Sequence, residues 1–561
     1  MGPEQNGVLV TQGIGNRPAR VSLPLMLGAA FGLAASLSPS LVPRGPLVQG
    51  ALSGISMAVV AGLFVLAVAI WRWLGLPLVA APRGIRRVLL AILLLAGASL
   101  LFLASGWQDE LRAMMGVAPL GAAGALRTAA LALGVFMLLL LVGLGVRALI
   151  RRLSGRLDRV LPRRVALLLG TVLGGALIWT LANGLLVSTA LRAADRAYRE
   201  LDLRIDDGLA RPSDPLKTGS PQSAVPWETL GRQGREMVAR GPDAARIAGV
   251  AGGTAKEPIR VYIGLNSADT PAAQADLALA ELIRTGAFDR KVLVIATPTG
   301  TGWIDPESQP ALEYLHRGDV ATVSVQYSYL ASWLALLTRY EVGAETAAHV
   351  FDRIYGHWRR LPPDRRPRLY LHGLSLGSFW SDRSASLFKV VGDPFDGALW
   401  VGPPYSAATW GQVTAARNAG TPFWLPRFGD GSLVRFTSQE NQLEDGHAPW
   451  GPMRIVYLQY ASDAVTFFDP HAWWRPPPWL APRGPDVSPR FRWVPVVTQL
   501  QLGVDIMTAV MTPVGHGHVY AAEHYLDGWV AVTAPEGWDA AGIARLKAVL
   551  AAEREARAKE D

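Results

Sequence analysis

The sequence predicts an α-helical transmembrane bundle followed by an α/β domain built on a mostly parallel, doubly wound sheet. Three observations carry this expectation. Four uncharged apolar runs crowd into the first third of the 561-residue chain. From residue 258 onward, strand-like and helix-like patterns alternate. A Gly-x-Ser-x-Gly turn then falls between one such strand and one such helix. The expected organisation is a membrane domain over 1–192, a connecting segment over 193–257 and an α/β domain over 258–561.

The apolar runs cover residues 50–71, 88–107, 128–146 and 165–191. Each reaches or approaches the roughly 20 residues that a helix needs to cross the hydrocarbon core. A fifth stretch, 21–40, is broken by Pro24 and several serines, so the expected number of spans is four or five. Arginines orient the bundle. Arg147, Arg151, Arg152, Arg156, Arg159, Arg163 and Arg164 precede the last run, and Arg83, Arg86 and Arg87 lie between the first two. Basic connections stay cytoplasmic, so the chain should emerge on the opposite side near Arg192. Arg17 and Arg20 fit the same side as the other arginines if 21–40 spans. No acidic residue sits inside the four runs, which argues against a proton-coupled transporter.

The net charge of +9 comes largely from these membrane-flanking arginines. No zinc-finger spacing or basic block accompanies it, and nucleic acid is not an expected partner. The chain contains no cysteine, which removes disulfides, thiolate metal sites and cysteine nucleophiles.

In the last part, 259–265 reads as a strand. Thr270-Pro271 caps a helix in which Ala275, Leu279, Leu282 and Ile283 share a face, and Gly286 stops it. Residues 291–296, 368–372, 397–401 and 454–460 read as further strands. Ala347, Val350, Phe351, Ile354 and Trp358 mark another helix, and 320–330 is ambiguous between strand and helix. The connecting segment is polar, with Pro, Gly and Ser scattered through 211–223.

Gly373-Leu374-Ser375-Leu376-Gly377 follows the 368–372 strand and precedes a helix-compatible stretch. That setting forces a serine onto a tight turn above a sheet, with the Leu376 N–H aimed at a developing oxyanion. A serine hydroxyl needs a histidine to take its proton and a carboxylate to orient that histidine. Both follow in the order acid, then His. Asp463 lies just past the 454–460 strand; Asp469, beside Pro470, reads as a cap. His516 and His518 share a glycine-flanked loop, and the base is one of them, with His518 favoured. His471, beside Trp473 and Trp474, reads as packing or surface. Two histidines at this spacing also suit a metal, but no third-ligand spacing completes a set. The expected metal and cofactor content is none. The second oxyanion donor is expected after the 259–265 strand, at Leu265 or Asn266. The 297–303 loop also follows a strand and lacks the Gly-Lys-Ser/Thr ending of a nucleotide loop. The Trp- and Pro-rich insertion around 473–479 suits a cap, a lipid contact or, equally, a rigid surface loop with no role.

The chain resembles the bacterial alpha/beta-hydrolase 9 family in Val225-Pro226-Trp227-Glu228-Thr229-Leu230-Gly231-Arg232-Gln233-Gly234, in residues 284–290 and 297–303, in the Ser375 turn and in the Gly515-His516-Gly517-His518 loop. The resemblance implies a multi-spanning amino-terminal region joined to an α/β-hydrolase domain of the serine-hydrolase type. The expectation is an integral protein of the cytoplasmic (inner) membrane with a periplasmic or extracellular catalytic domain. It acts as an esterase or lipase through an acyl-serine, with the bilayer as partner and an acyl ester, lipid among the candidates, as substrate. An acyltransferase using the same residues, or a non-catalytic lipid-binding scaffold, are the alternatives.

Overall fold

A computed structural model describes residues 23–77, 82–206 and 208–560. Arg17, Arg20 and the first two residues of the 21–40 stretch lie outside the described residues.

Among the described residues of the first part there are six α-helices: α1 (Leu23–Ser36), α2 (Pro46–Trp73), α3 (Arg83–Met114), α4 (Gly121–Leu157), α5 (Arg163–Trp179) and α6 (Ser188–Leu203). Among the described residues three helical stretches are long and apolar enough to cross a membrane: Pro46–Trp73, Gly84–Met114 and Ala123–Leu157. Only 6% of the apolar window is buried in each of the last two. A soluble domain does not leave faces of that size open to water, and lipid is the medium that suits them. The fourth expected run is divided between α5, a π-helical stretch over Thr180–Val187, and α6. Helix α1, with 14 residues, packs on α2 through glycine. A Cβ on Gly28 would stand 2.6 Å from the Ala61 Cα, and one on Gly32 would stand 2.5 Å from the Ser56 carbonyl oxygen. Small residues four apart let two backbones approach in this way, and a bond from the Ser36 to the Ser53 hydroxyl, 2.9 Å, adds polar glue.

The second part is a seven-stranded sheet in the order β1-β3-β2-β4-β5-β7-β6, with every pairing parallel. The strands are β1 (Ile259–Ile263), β2 (Val292–Thr297), β3 (Val320–Val325), β4 (Arg368–Leu374), β5 (Gly397–Val401), β6 (Val434–Thr437) and β7 (Arg454–Leu458). The ambiguous 320–330 stretch thus begins with β3, which is buried on both faces. β6 has no counterpart in the sequence reading, because four residues carry too little periodicity.

Side chains alternate between two cores, as a doubly wound sheet requires. Leu293 and Ile295 join Leu282 and Phe351 on one face. Val292, Val294 and Ala296 join Leu312, Trp529 and Leu546 on the other. The first face lies under α7 (Pro271–Arg284), α9 (Tyr340–Trp358) and α10 (Leu376–Ser384). The second lies under α8 (Ser308–Leu315), α12 (Ala522–Thr533) and α13 (Ala540–Glu560); α11 (Val497–Thr508) precedes α12 in the chain. Helix α7 begins as its sequence dictates, with the Thr270 hydroxyl accepting from the Ala273 N–H at 3.2 Å and Pro271 in the first turn. The segment read as a connector contributes Val225, Trp227, Leu230 and Val238 to the first core, so its polar composition hides anchoring residues.

The register places the carboxy-terminal ends of four strands level. Thr297 pairs with Gly373, Leu374 with Val401, and Val401 with Leu458. The loops that follow β2, β4, β5 and β7 therefore stand side by side at one edge of the sheet, where open α/β sheets bind ligands.

Candidate active site

Ser375 joins β4 to α10 with φ 56° and ψ −125°, a region that non-glycine residues rarely adopt. Its N–H donates to the Val401 carbonyl at 2.9 Å, which pins the turn to the end of β5. Both flanking glycines are required by close approach. A Cβ on Gly373 would meet the Gly377 backbone at 2.4 Å, and one on Gly377 would meet the Thr297 carbonyl oxygen at 2.3 Å. Leu376 opens α10, so its N–H belongs to the first turn, whose N–H groups have no intrahelical acceptor and lie at the positive end of the helix dipole.

Asp463 lies in the loop after β7 and is fully buried. Its Oδ1 accepts from the Val465 N–H at 2.8 Å and the Thr466 N–H at 3.3 Å. Its Oδ2 accepts from the Thr466 hydroxyl at 3.1 Å and the Tyr520 hydroxyl at 2.6 Å, and lies 2.7 Å from His518 Nδ1. With five such contacts the carboxylate has one orientation. A carboxylate accepts at Nδ1 of the ring, so the proton sits there and Nε2 is left as the basic nitrogen. Nε2 is buried with no hydrogen-bond partner among the described residues. The His518 ring lies against Gly402, the residue after Val401, whose added Cβ would stand 2.7 Å from Cε1. Ser375 and His518 thus meet consecutive residues, Val401 and Gly402, at the end of β5.

His516 faces elsewhere. Its Nδ1 is 3.8 Å from Asp486 Oδ2, beyond hydrogen-bond reach. Asp486 Oδ2 instead accepts from the Ser462 hydroxyl at 2.5 Å and the Gln439 amide at 2.7 Å. Ser462 in turn accepts from the Gly517 N–H at 2.8 Å. Residue 462 therefore holds 517 while 463 holds 518, and this double seat sets the register of the histidine loop. No three His, Asp or Glu side chains among the described residues are grouped as a metal would need. His471 bonds to its neighbour Asp469 at 2.9 Å and is half-exposed. His524 bonds to the Tyr460 hydroxyl, and burial pushes its imidazole down to about 4.

Leu265 and Asn266 are not brought to the Ser375 turn. They follow β1, the edge strand, which β3 and β2 separate from β4. The Leu265 N–H is taken by the Gln326 side chain at 3.0 Å. The loop beside the turn is the one after β2, whose Thr297 and Pro298 carbonyls press on Gly377. In that loop Pro298 has no N–H and the Thr299 N–H donates to the Trp303 carbonyl at 3.0 Å. The loop also carries the hydroxyls of Thr297, Thr299 and Thr301, of which Thr299 is buried.

Two further residues had no distinct signal in the sequence. Tyr520 carries the hydroxyl on Asp463; its place two residues beyond His518 is the only hint. Asp305, in the connection between β2 and α8, is buried and bonded to the Tyr525 hydroxyl at 2.8 Å and the Glu307 N–H at 3.0 Å, and burial pushes its carboxyl up to about 7.

A parallel sheet with a strained serine between strand and helix, followed by an acid and a histidine from later loops, defines an α/β-hydrolase fold. Residues 259–546 match the alpha/beta-hydrolase family, and residues 37–242 match the amino-terminal region of that family. The chain belongs to this alpha/beta-hydrolase family, with the two matched regions covering most of its length. No curated protein and no solved structure matches the chain.

Proposed function

We propose that the protein is a membrane-anchored serine hydrolase that cleaves acyl esters of lipid or cell-envelope components. The observation that carries this reading is the Asp463–His518 pair at 2.7 Å, with an unpartnered Nε2 at the strand end that also holds the strained Ser375. In the mechanism, Ser375 Oγ attacks the ester carbonyl while His518 Nε2 takes its proton. Asp463 holds the Nδ1–H and stabilises the imidazolium. The negative oxygen of the tetrahedral adduct is received by the Leu376 N–H and the Thr299 hydroxyl. The C–O bond to the alcohol then breaks, and His518 returns the proton to that alcohol. Water, deprotonated by His518, releases the acid from the acyl-serine.

Chain connectivity supports a catalytic domain on the side away from the basic connections. Arg44, just before α2, and Glu110, near the end of α3, both bond to residues of the catalytic domain. A chain that alternates sides puts the arginine-rich connections after α2 and α4 opposite them, which is the cytoplasmic side.

Hydrolysis of soluble p-nitrophenyl esters by the detergent-solubilised full chain tests the reading. Ser375→Ala should lower kcat by at least about 10³-fold. Undiminished turnover in that variant would remove Ser375 from the chemistry.

A further inference from the structure

Helix α11 and the turn after it carry an apolar ridge that the site itself does not use. Leu502, Asp505 and Ala509 face inward and are buried. Met507, Val510, Met511 and Val514 face out, at 69%, 61%, 79% and 41% exposure. Met507, Val510 and Met511 recur at helical spacing and Val514 follows in the turn after the helix; four large exposed apolar side chains within eight residues are more than the scattered exposure of an ordinary surface. At the start of α11, the Trp473 carbonyl accepts from the Val496 N–H at 3.0 Å, and its neighbour Trp474 is exposed. Tryptophan in such a position suits a membrane interface.

What covers this ridge follows from the inward side of the same helix. Asp505 Oδ1 lies 3.4 Å from Arg44 Nε, and Oδ2 accepts from the Leu41 N–H at 3.1 Å. Both charged side chains are fully buried. Arg44 stands two residues ahead of Pro46, where the membrane-crossing helix α2 begins. Two residues of chain reach about 7 Å at most. Asp505 and Met511 are six residues apart, about 9 Å at helical rise. A second tie acts nearby in the sequence, where Arg490 Nε bonds to Glu110 Oε2 of α3 at 2.5 Å. The segment 490–511 is therefore tied to Leu41, Arg44 and Glu110, residues that the chain itself places within a few positions of the start of α2 and the end of α3. Interfacial helices sink their apolar side about 5–10 Å into the headgroup boundary, a depth this ridge can meet.

The ridge also belongs to the piece of chain that holds the base. The Ala509 carbonyl accepts from the His518 N–H at 3.0 Å, and the Thr512 hydroxyl donates to the His516 carbonyl at 2.6 Å. The geometry points to Met507, Val510, Met511 and Val514 as a surface seated in the bilayer interface, so that acyl lipids reach Ser375 from the membrane rather than from water. The substrate half of this statement rests on the serine-hydrolase reading; the seating of the ridge does not.

The cysteine-free chain allows a direct test. Met511→Cys and Glu536→Cys are each given a nitroxide label in the full-length protein, in vesicles of phosphatidylethanolamine and phosphatidylglycerol. Glu536 is exposed beside Lys291 at the start of β2, the opposite end of the sheet from Ser375. Collisions with lipid-soluble oxygen should exceed those with a water-soluble nickel chelate at 511, and the order should reverse at 536. A label at 511 that meets nickel as readily as the one at 536 would overturn the seating, whatever the enzyme does. For the substrate half, Met507→Glu/Met511→Glu should cut turnover of a vesicle-borne fatty acyl ester about tenfold or more and leave a short soluble ester within about twofold. Equal losses on both esters would overturn that half. A wild-type protein inactive on both would count against the hydrolase reading alone, and the labels would still decide the seating.

Discussion

Gly402→Ala tests whether the end of β5 is the surface on which His518, the proposed base, is placed. Gly402 has φ +50°, and its added Cβ would stand 2.7 Å from His518 Cε1 and 3.0 Å from Asp463 Oδ2. Carbon atoms in contact prefer about 3.5–4.0 Å, so the imidazole has to retreat by about 1 Å. An alanine at positive φ costs roughly 1–2 kcal/mol, and the crowding adds a similar amount. A native domain with the usual 5–15 kcal/mol of stability survives this. A misplacement of about 1 Å in a reacting group costs on the order of 10²-fold in rate, which is about 2.7 kcal/mol of barrier. The assay pairs kcat/KM on a soluble ester with thermal unfolding of the same sample. The expected outcome is a folded protein with kcat/KM lowered about 100-fold. A folded variant within about threefold of wild type would refute the placement of His518 against Gly402.

Three other outcomes are expected. Tyr520→Phe removes the hydroxyl 2.6 Å from Asp463 Oδ2; a bond to a charged acceptor is worth about 1.5–3 kcal/mol, so kcat should fall roughly tenfold with KM unchanged, and an unchanged kcat would leave Tyr520 a packing residue. Thr299→Val keeps the shape and removes the hydroxyl; kcat should fall by about 10²-fold if it receives the oxyanion, whereas full activity would put the second donor elsewhere. Asp305 gives a pH signature. Burial raises its carboxyl from 3.8 to about 7, so the folded state keeps a proton that the unfolded state releases. Its contribution to stability therefore declines as pH climbs from about 4 to about 7 and is level above that, by at most about 4 kcal/mol. Asp305→Asn, which stays neutral, should gain on wild type in denaturant melts as pH rises from about 4 to about 7; parallel curves would contradict the raised carboxyl.

The alternation of strands and helices was legible because parallel strands and amphipathic helices differ in period and length. β6 was not, with four residues, nor was the anchoring role of Trp227 and Leu230 within a polar stretch. At the site, the Ser375 turn could be read because its strand, glycines and helix are contiguous. The two histidines could not be separated, since the choice depends on Ser462 and Asp463 seating Gly517 and His518 as a pair from 55 residues away. Leu265 and Asn266 were proposed from chain order, and strand order is what decides neighbours. β3 enters between β1 and β2, and the loop at Thr299 takes the place beside Ser375.

The most direct test of the Ser375–His518–Asp463 assignment is fluorophosphonate labelling of the folded full-length chain, with the modified peptide located by mass spectrometry. The expected result is one adduct on Ser375, absent in Ser375→Ala, strongly slowed in His518→Ala and retained in His516→Ala. An unlabelled Ser375 beside a labelled control hydrolase, or labelling that needs His516 and not His518, would contradict it.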